Sequence, residues 1–259
     1  IMIESRCHLS ADMFRQLHIC VVVPTYNNVG TIQGVLEEVL RYVGDVVVVN
    51  DGSTDSTACI LESMSGEVTV GSYPNNRGKG YALKTGLLKA RELGFEYAVT
   101  IDSDGQHFPE DLLKFAEALR LHPGAMVVGS RGLDHENMPE KNKFANNFSN
   151  FWFRLQTGVR LSDTQTGYRL YPLRRLYGLR LLTSRYEAEL ELLVYAAWHG
   201  VELVEIPVRV YYPPEGERVS HFRPFGDFAR ISLLNSALCF FAVVYGLPLR
   251  LWRKLKRKK

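Results

Sequence analysis

Residues 97–107 read YAVTIDSDGQH. Five uncharged residues, Tyr97–Ile101, run straight into two carboxylates set two positions apart, Asp102 and Asp104. An apolar run this short, bounded by a polar turn, reads as a buried strand. The same grammar recurs on both sides. His18–Val23 (HICVVV) is an apolar run closed by Pro24 and the polar TYNN, Asp45–Asn50 (DVVVVN) opens onto DGSTD, and Ala125–Gly129 opens onto SRG. Val68–Ser72 is a further strand of the series. Between them lie segments with apolar residues at helical spacing: Thr31–Tyr42, Thr54–Met64, Lys79–Leu93 and Pro109–Leu121, the last with proline in its first turn. Ser53 or Asp55 is placed to cap the second of these.

Strands apolar along their whole length, alternating with helices, predict a mostly parallel sheet covered by helices on both faces. In such sheets ligands bind outside the carboxyl ends of the strands. The polar clusters fall there, which makes them the candidate site. The second half is less regular. Lys141–Gln156 and Arg185–His199 read as helices, Thr164–Tyr171 as a loop or short strand, Val201–Tyr212 as two strand-like pieces around Pro207, and Pro213–His221 as a loop. With no internal repeat and no long linker, residues 1–222 are expected to form one α/β domain.

The 259 residues are 46% hydrophobic and 23% charged, which excludes a disordered chain or a small disulfide-stapled scaffold. The net charge of +3 comes from 31 basic and 28 acidic residues, unevenly placed. Residues 250–259 hold seven basic residues and no acid, leaving 24 basic against 28 acidic elsewhere. This is not the spread of a nucleic-acid-binding face. The four cysteines, Cys7, Cys20, Cys59 and Cys239, form no CxxC pair, so a zinc site is not expected and a reducing compartment is. Cys20 and Cys239 sit in apolar runs and read as buried. No secretory signal precedes the first strand. The chain begins at Ile1, which leaves its natural start open.

Each cluster has a chemistry and a plainer alternative. Asp102 and Asp104 can share one divalent cation, or one can hold metal and the other a ribose hydroxyl. Mg²⁺ or Mn²⁺ suits such hard oxygens and bridges to phosphates, with Gln106 and His107 as added contacts. Otherwise the two carboxylates cap the helix that starts near Pro109. Asn50, Asp51, Gly52 and Ser53 can bind a base or ribose, or simply form a turn. Asn76–Gly80, with Arg77 and Lys79, opens a helix where backbone N–H groups suit a phosphate, without the dinucleotide or P-loop fingerprint. Arg131, Arg169 and Arg218 are candidate phosphate contacts, each alone also readable as a surface charge. His221 is a candidate base or anion contact.

Together these segments resemble family 2 glycosyltransferases of the GT-A fold, and most of all the dolichol- and polyprenyl-phosphate sugar synthases. The matching stretches are VVVPTYNN, VVVNDGSTD, NNRGKGYALKTG, TIDSDGQHFPEDL, GSRG, DTQTGYRLYP, ELELL with GVELVEIPV, and ERVSHF, in family order over residues 19–222. The resemblance implies inverting transfer of a sugar from a UDP- or GDP-sugar. Pro24, Thr25, Tyr26, Asn28, Asn50, Asp51, Ser53 and Ser103 would line the nucleotide pocket, with Arg77 and Lys79 near the nucleotide. Asp102, Asp104 and Gln106 would hold Mg²⁺ or Mn²⁺. Arg131, Thr166, Arg169, Arg218, Ser220 and His221 would surround the acceptor, with Asp163 among the catalytic residues. Asn28 and Asn50 stand where the family often has Glu and Asp, which leaves the base open, and YYPPEGERVSHF departs from the usual acceptor loop. A phosphate acceptor needs no general base. A hydroxyl acceptor on a saccharide or lipid would need one, and Asp163 or His221 is the candidate. A silent nucleotide-sugar-binding membrane protein is the remaining alternative, against which the intact DSD speaks.

Residues 223–259 are expected to be a membrane-associating apolar helix and basic tail. Ile231–Leu249 carries no charge over 19 residues, about 28 Å as a helix against ~30 Å of hydrocarbon. Nucleotide sugars and the basic tail both belong on the cytoplasmic side. A single crossing cannot satisfy both, so a peripheral or re-entrant segment is expected in preference to a crossing or a plain core helix.

Overall fold

The computed structural model describes residues 10–132, 140–178, 181–212 and 224–256. Its frame is a seven-stranded sheet. In chain order the elements are β1 (Ile19–Thr25), α1 (Ile32–Leu40), β2 (Val46–Asn50), α2 (Thr57–Ser63), β3 (Thr69–Ser72), α3 (Lys79–Glu92), β4 (Tyr97–Thr100), α4 (Leu112–Leu121) and β5 (Met126–Ser130). There follow α5 (Glu140–Thr157), β6 (Arg169–Pro172), α6 (Glu187–Trp198), β7 (Leu203–Pro207), α7 (Pro224–Phe241) and α8 (Leu247–Lys256). Residues 10–16 are also helical, which the sequence reading did not anticipate.

The strands lie in the order β3-β2-β1-β4-β6-β5-β7. All pair in parallel except β6, which runs antiparallel to both β4 and β5. The all-apolar strands have their expected cause: successive side chains enter two different cores. Ile19, Val21 and Val23 of β1 join Ile32, Leu36 and Val39 of α1 and Phe115 of α4. Cys20 and Val22 join Leu83 of α3, Phe153 of α5, Trp198 of α6, and Leu234 and Leu238 of α7. Cys20 is buried as expected, whereas Cys239 is only partly so.

Two local expectations change and one open alternative is resolved. Pro24 does not end β1, which continues to Thr25 beside Asn50. Odd residues of β1 bond toward β2 (Val21 N to Asp45 O), whereas Val22 O accepts from Ile101 on the β4 side. Pro24 faces that second side, where the ladder ends at Val22 and Thr100, so its missing N–H costs no ladder bond. Residues 201–212 hold one strand, β7. Pro207 closes it at the sheet edge, where proline is tolerated, and Val210 makes only an isolated bridge to His107. The segment 164–171, open between loop and strand, is both: a turn, then β6.

Candidate active site

Parallel β1, β2, β4 and β5 end at one edge of the sheet, and antiparallel β6 begins there. Thr25 is beside Asn50, Thr100 beside Arg169, and Val128 beside Arg169. The reversed direction of β6 thus carries the DTQTG turn to the edge that holds DSD. Thr100 Oγ1 donates to Gly167 O at 2.6 Å and ties the two together.

On the β1–β2 side the polar residues knit a rigid wall. Asp51 is 2% exposed. Its Oδ1 accepts from Arg77 N at 2.7 Å and its Oδ2 from Gly78 N at 2.9 Å. Asn50 Oδ1 accepts from Ser53 N at 3.0 Å. Gly52 has φ +67°, and a Cβ there would lie 2.5 Å from Asn75 C, so only glycine lets the two loops meet. Ser53 Oγ in turn accepts from Asn27 N at 3.0 Å. Asn28 Nδ2 donates to Ser103 Oγ at 2.6 Å, and Thr31 Oγ1 to Ser103 O at 2.6 Å, binding the β1 loop to DSD. Thr25 is buried and Tyr26 half-buried beside them. Arg77 lies exposed with its guanidinium 3.6 Å over the Tyr81 ring. NDGS is therefore a turn, and Asp51 ties it to the Arg77–Gly78 loop.

At the centre, Lys79 Nζ lies 2.7 Å from Asp102 Oδ1 and 3.0 Å from Glu189 Oε1. Burial opposes a charge on Lys79, but the two carboxylates outweigh it and hold the ammonium well above its usual pKa. Desolvation also opposes the charge on half-buried Asp102, yet Lys79 keeps its carboxyl below the usual range. Gly167 makes room for this pair, since a Cβ there would lie 2.7 Å from Asp102 Oδ2 and 2.9 Å from Lys79 Nζ. Asp104 has the opposite fate. Burial, and then the charge of Asp102, push its carboxyl up to about 6. Its Oδ1 accepts from Gln106 N at 3.0 Å. Neither aspartate caps the helical turn at Pro109–Asp111: Phe108 precedes that turn with no side-chain cap. The capping alternative is thereby removed.

Asp102 and Asp104 carry hard oxygens of the kind a divalent cation takes, and Asp102 already has one of them on Lys79 Nζ at 2.7 Å. No group of three or more His, Cys, Asp or Glu that could hold a metal occurs among the described residues. Two carboxylates with phosphate oxygens completing the shell is, however, the usual way Mg²⁺ is held. The strained ionisation of Asp104 is what a nearby cation would relieve. His107 is buried beside them with Nδ1 unpartnered, and burial lowers its pKa to about 4.

The β5–β6 side is built on Asp163, 1% exposed. Its Oδ2 accepts from Arg131 Nε at 2.6 Å and its Oδ1 from Arg131 Nη2 at 3.0 Å, a two-pronged pair. Oδ1 also accepts from the backbone of Gln165 and Thr166 at 3.0 and 3.2 Å. Burial opposes ionisation, but these donors hold the carboxyl below its usual range. A carboxylate so stabilised is a poor proton acceptor. Thr166 is buried and its Oγ1 accepts from Tyr168 N. Arg169 is not the surface cation that its type suggests. It is fully buried, with Nη1 on Glu189 O at 2.7 Å and Nη2 on Thr164 O at 2.9 Å. Its guanidinium therefore braces the turn from behind. Asn146 and Asn150 of α5 both donate to Ser162 O. Arg218, Ser220 and His221 lie outside the described residues.

Glu189 is the residue that the sequence reading missed. In EAELELL, helical residues two apart point to opposite sides, so Glu187, Glu189 and Glu191 cannot share one solvent face. All three are at most 7% exposed. That pattern was the available signal.

Comparison with known proteins now adds to the geometry. The profile of glycosyl transferase family 2 matches residues 20–175. The chain is 32% identical over 215 residues to UDP-N-acetylglucosamine–dolichyl-phosphate N-acetylglucosaminyltransferase of Methanococcus voltae, covering 75% of this chain and 86% of that one. It is 29% identical over 203 residues to undecaprenyl-phosphate mannosyltransferase of Micrococcus luteus, covering 74% and 83%. Among solved structures it superposes on glucosyl-3-phosphoglycerate synthase of Mycobacterium tuberculosis in complex with Mn²⁺, UDP-glucose and phosphoglyceric acid. The TM-score there is 0.65 at 19% identity, covering 91% of this chain and 83% of that one, a likeness of fold.

Proposed function

The chain belongs to glycosyl transferase family 2, and from that premise we propose that it moves a sugar, with inversion, from a nucleotide-sugar donor to a polyprenyl phosphate. Support comes from the relatives, which are named for dolichyl-phosphate and undecaprenyl-phosphate transfer. The observation that carries the choice of acceptor is the state of Asp163. Its carboxylate is filled by Arg131 and two backbone N–H groups, so it is a poor base for deprotonating a hydroxyl. A phosphate acceptor is already ionised and needs none.

In this reading a phosphate oxygen of the acceptor forms the new bond to the anomeric carbon. The bond to the donor's diphosphate breaks, the electron pair leaves with the diphosphate, and no proton is transferred. The wall made by Pro24, Thr25, Tyr26, Asn28, Asn50, Asp51, Ser53 and Ser103 holds the nucleoside, which is a UDP or GDP unit. Asp102, Asp104 and Gln106 would hold Mg²⁺ or Mn²⁺, which when bound neutralises charge on the leaving diphosphate. Arg77 and Lys79 add positive charge on the donor side. Arg131 and Thr166 serve the acceptor side, and Arg218, Ser220 and His221 are assigned to it by the family resemblance alone. Arg169 acts through the turn that it braces. The catalytic domain, residues 1–222, works at the cytoplasmic face of a membrane, with 223–259 as its membrane-associating part.

The test is radiolabelled sugar transfer to a polyprenyl phosphate across UDP- and GDP-sugars with Mn²⁺. Transfer is expected with one donor class and lost in Asp104→Asn, whose fold persists. Full activity of that variant sinks the metal assignment. Transfer only to a hydroxyl acceptor sinks the phosphate reading.

A further inference from the structure

Residues 230–253 are long and apolar enough to cross a bilayer, yet their contacts are those of a helix laid along the domain. One side is buried: Leu234, Asn235, Leu238 and Ala242 are no more than 6% exposed. Gln156 Nε2 of α5 donates to Asn235 Oδ1 at 3.0 Å. Gly246 lies in a π-helical turn, Ala242–Gly246, directly against α6. A Cβ on it would come within 2.6 Å of Trp198 Nε1. A crossing orientation would give up all of these contacts.

The far end is fastened by two arginines. Arg250 Nη1 donates to Thr157 O, the last carbonyl of α5. Arg253 Nη1 donates to Trp198 O, the last of α6, at 2.9 Å. Helix C-termini present unpaired carbonyls at the negative end of the dipole, so a cation there satisfies both. Gly158 and Gly200 follow these carbonyls, and side chains in their place would collide with the arginines at 2.9 and 2.7 Å.

The opposite side is bare. Leu233, Phe240, Val244, Leu247, Leu251 and Leu255 are 49–73% exposed. Their spacing of seven, four, three, four and four makes a single stripe. Trp252 is 53% exposed beside it, with Lys256 Nζ 4.1 Å from its ring. Beyond Arg250 and Arg253, residues 254–259 add five basic residues and no acid. An apolar stripe flanked by cations and an exposed tryptophan fits the headgroup–acyl boundary of an anionic leaflet.

We propose that residues 230–256 are a docking surface lying in the plane of one anionic lipid leaflet, riveted to the catalytic domain by Arg250 and Arg253, and neither cross nor re-enter the bilayer. The proposal takes its purpose from the lipid-acceptor reading, but its test needs no donor or acceptor, so either can fail alone.

The full chain is floated with phosphatidylcholine vesicles, with and without phosphatidylglycerol, at low and high salt. Binding is expected with the anionic vesicles, weakened by salt, and released by alkaline carbonate. In sealed vesicles, a protease is expected to reach a tag after Lys259 from the side on which a maleimide reaches Cys59, which is exposed in the catalytic domain. The double variant Leu251→Glu with Leu255→Glu should lose binding by about tenfold or more at unchanged helical content. Arg250→Gln with Arg253→Gln should still float, while trypsin cuts the C-terminal segment faster than in the parent. Carbonate resistance with the tag on the opposite side overturns the proposal in favour of a crossing. Absence of flotation, with self-association that Leu251→Glu abolishes, overturns it in favour of a second copy on the stripe. Unchanged proteolysis of the arginine variant overturns the rivets.

Discussion

Replacing Lys79 by methionine keeps an unbranched stem and removes the charge between Asp102 and Glu189. In the parent the ammonium lies 2.7 and 3.0 Å from the two carboxylates, whose side chains are 23% and 10% exposed. Taking one partner from a buried pair costs about 3–5 kcal/mol. Partial exposure puts this site at the lower end, about 3 kcal/mol. At about 2–4 °C per kcal/mol for a domain of this size, the melting temperature should fall by roughly 6–12 °C at neutral pH. The sign with pH follows from Asp102, whose carboxyl Lys79 holds below the ordinary aspartate value of 3.8. The stabilisation from that pairing is present above 3.8 and is lost as pH falls through the lowered value. The gap between parent and variant should therefore close on acidification below about 4. Mn²⁺ should raise the melting temperature of the variant more than that of the parent, because the cation then relieves carboxylates that nothing else neutralises. Melting curves at neutral and acid pH, with and without Mn²⁺, measure all three. An unchanged melting temperature, or a drop equally large in acid, would refute the view that charge holds Lys79 here.

Three further outcomes are expected. Gly167→Ala drives a methyl group into the Asp102–Lys79 pair, costing about 1–3 kcal/mol. Sugar transfer should fall at least about tenfold while the circular dichroism stays unchanged, and full activity would contradict the close approach. Arg131→Met strips the buried carboxylate of Asp163, lowered in pKa by that partner, and should destabilise by about 3–5 kcal/mol at neutral pH. Because Asp163 contributes above the usual carboxylate range and not below it, urea titrations of parent and variant should converge in acid. Trp198→Phe leaves Gln156 O without the indole donor now at 2.9 Å, which should cost about 1–3 kcal/mol in chemical denaturation.

Most of the sheet was legible because its strands are apolar on both faces. Asp45–Asn50 and Tyr97–Ile101 each came out within one residue of β2 and β4. Asp102 and Asp104 were legible for the same reason, as charges that follow a buried run. β6 was harder to read. Its four residues, RLYP, open with an arginine, and strand pairing on both sides is a long-range fact. Arg169 was unreadable on the same ground, since the carbonyls that receive it come from residues 164 and 189. Glu189 reaches Lys79 across more than a hundred positions, a contact that no local pattern encodes. The C-terminal segment was legible in composition but not in pose: the carbonyls that fasten Arg250 and Arg253 belong to helices far earlier in the chain.

The reversed strand β6 has an evolutionary consequence. Val128 and Arg169 are neighbours in the sheet, so the chain from 131 to 168 leaves the framework and returns to it at adjoining points. Such an excursion can be exchanged or lengthened as a cassette, because closing a longer loop between fixed ends adds little entropy cost. α5, Arg131 and Asp163 all travel in it, whereas Asp102, Asp104 and Lys79 stay in the frame. A lineage could thus exchange the side proposed for the acceptor while inheriting unaltered the side proposed for the donor.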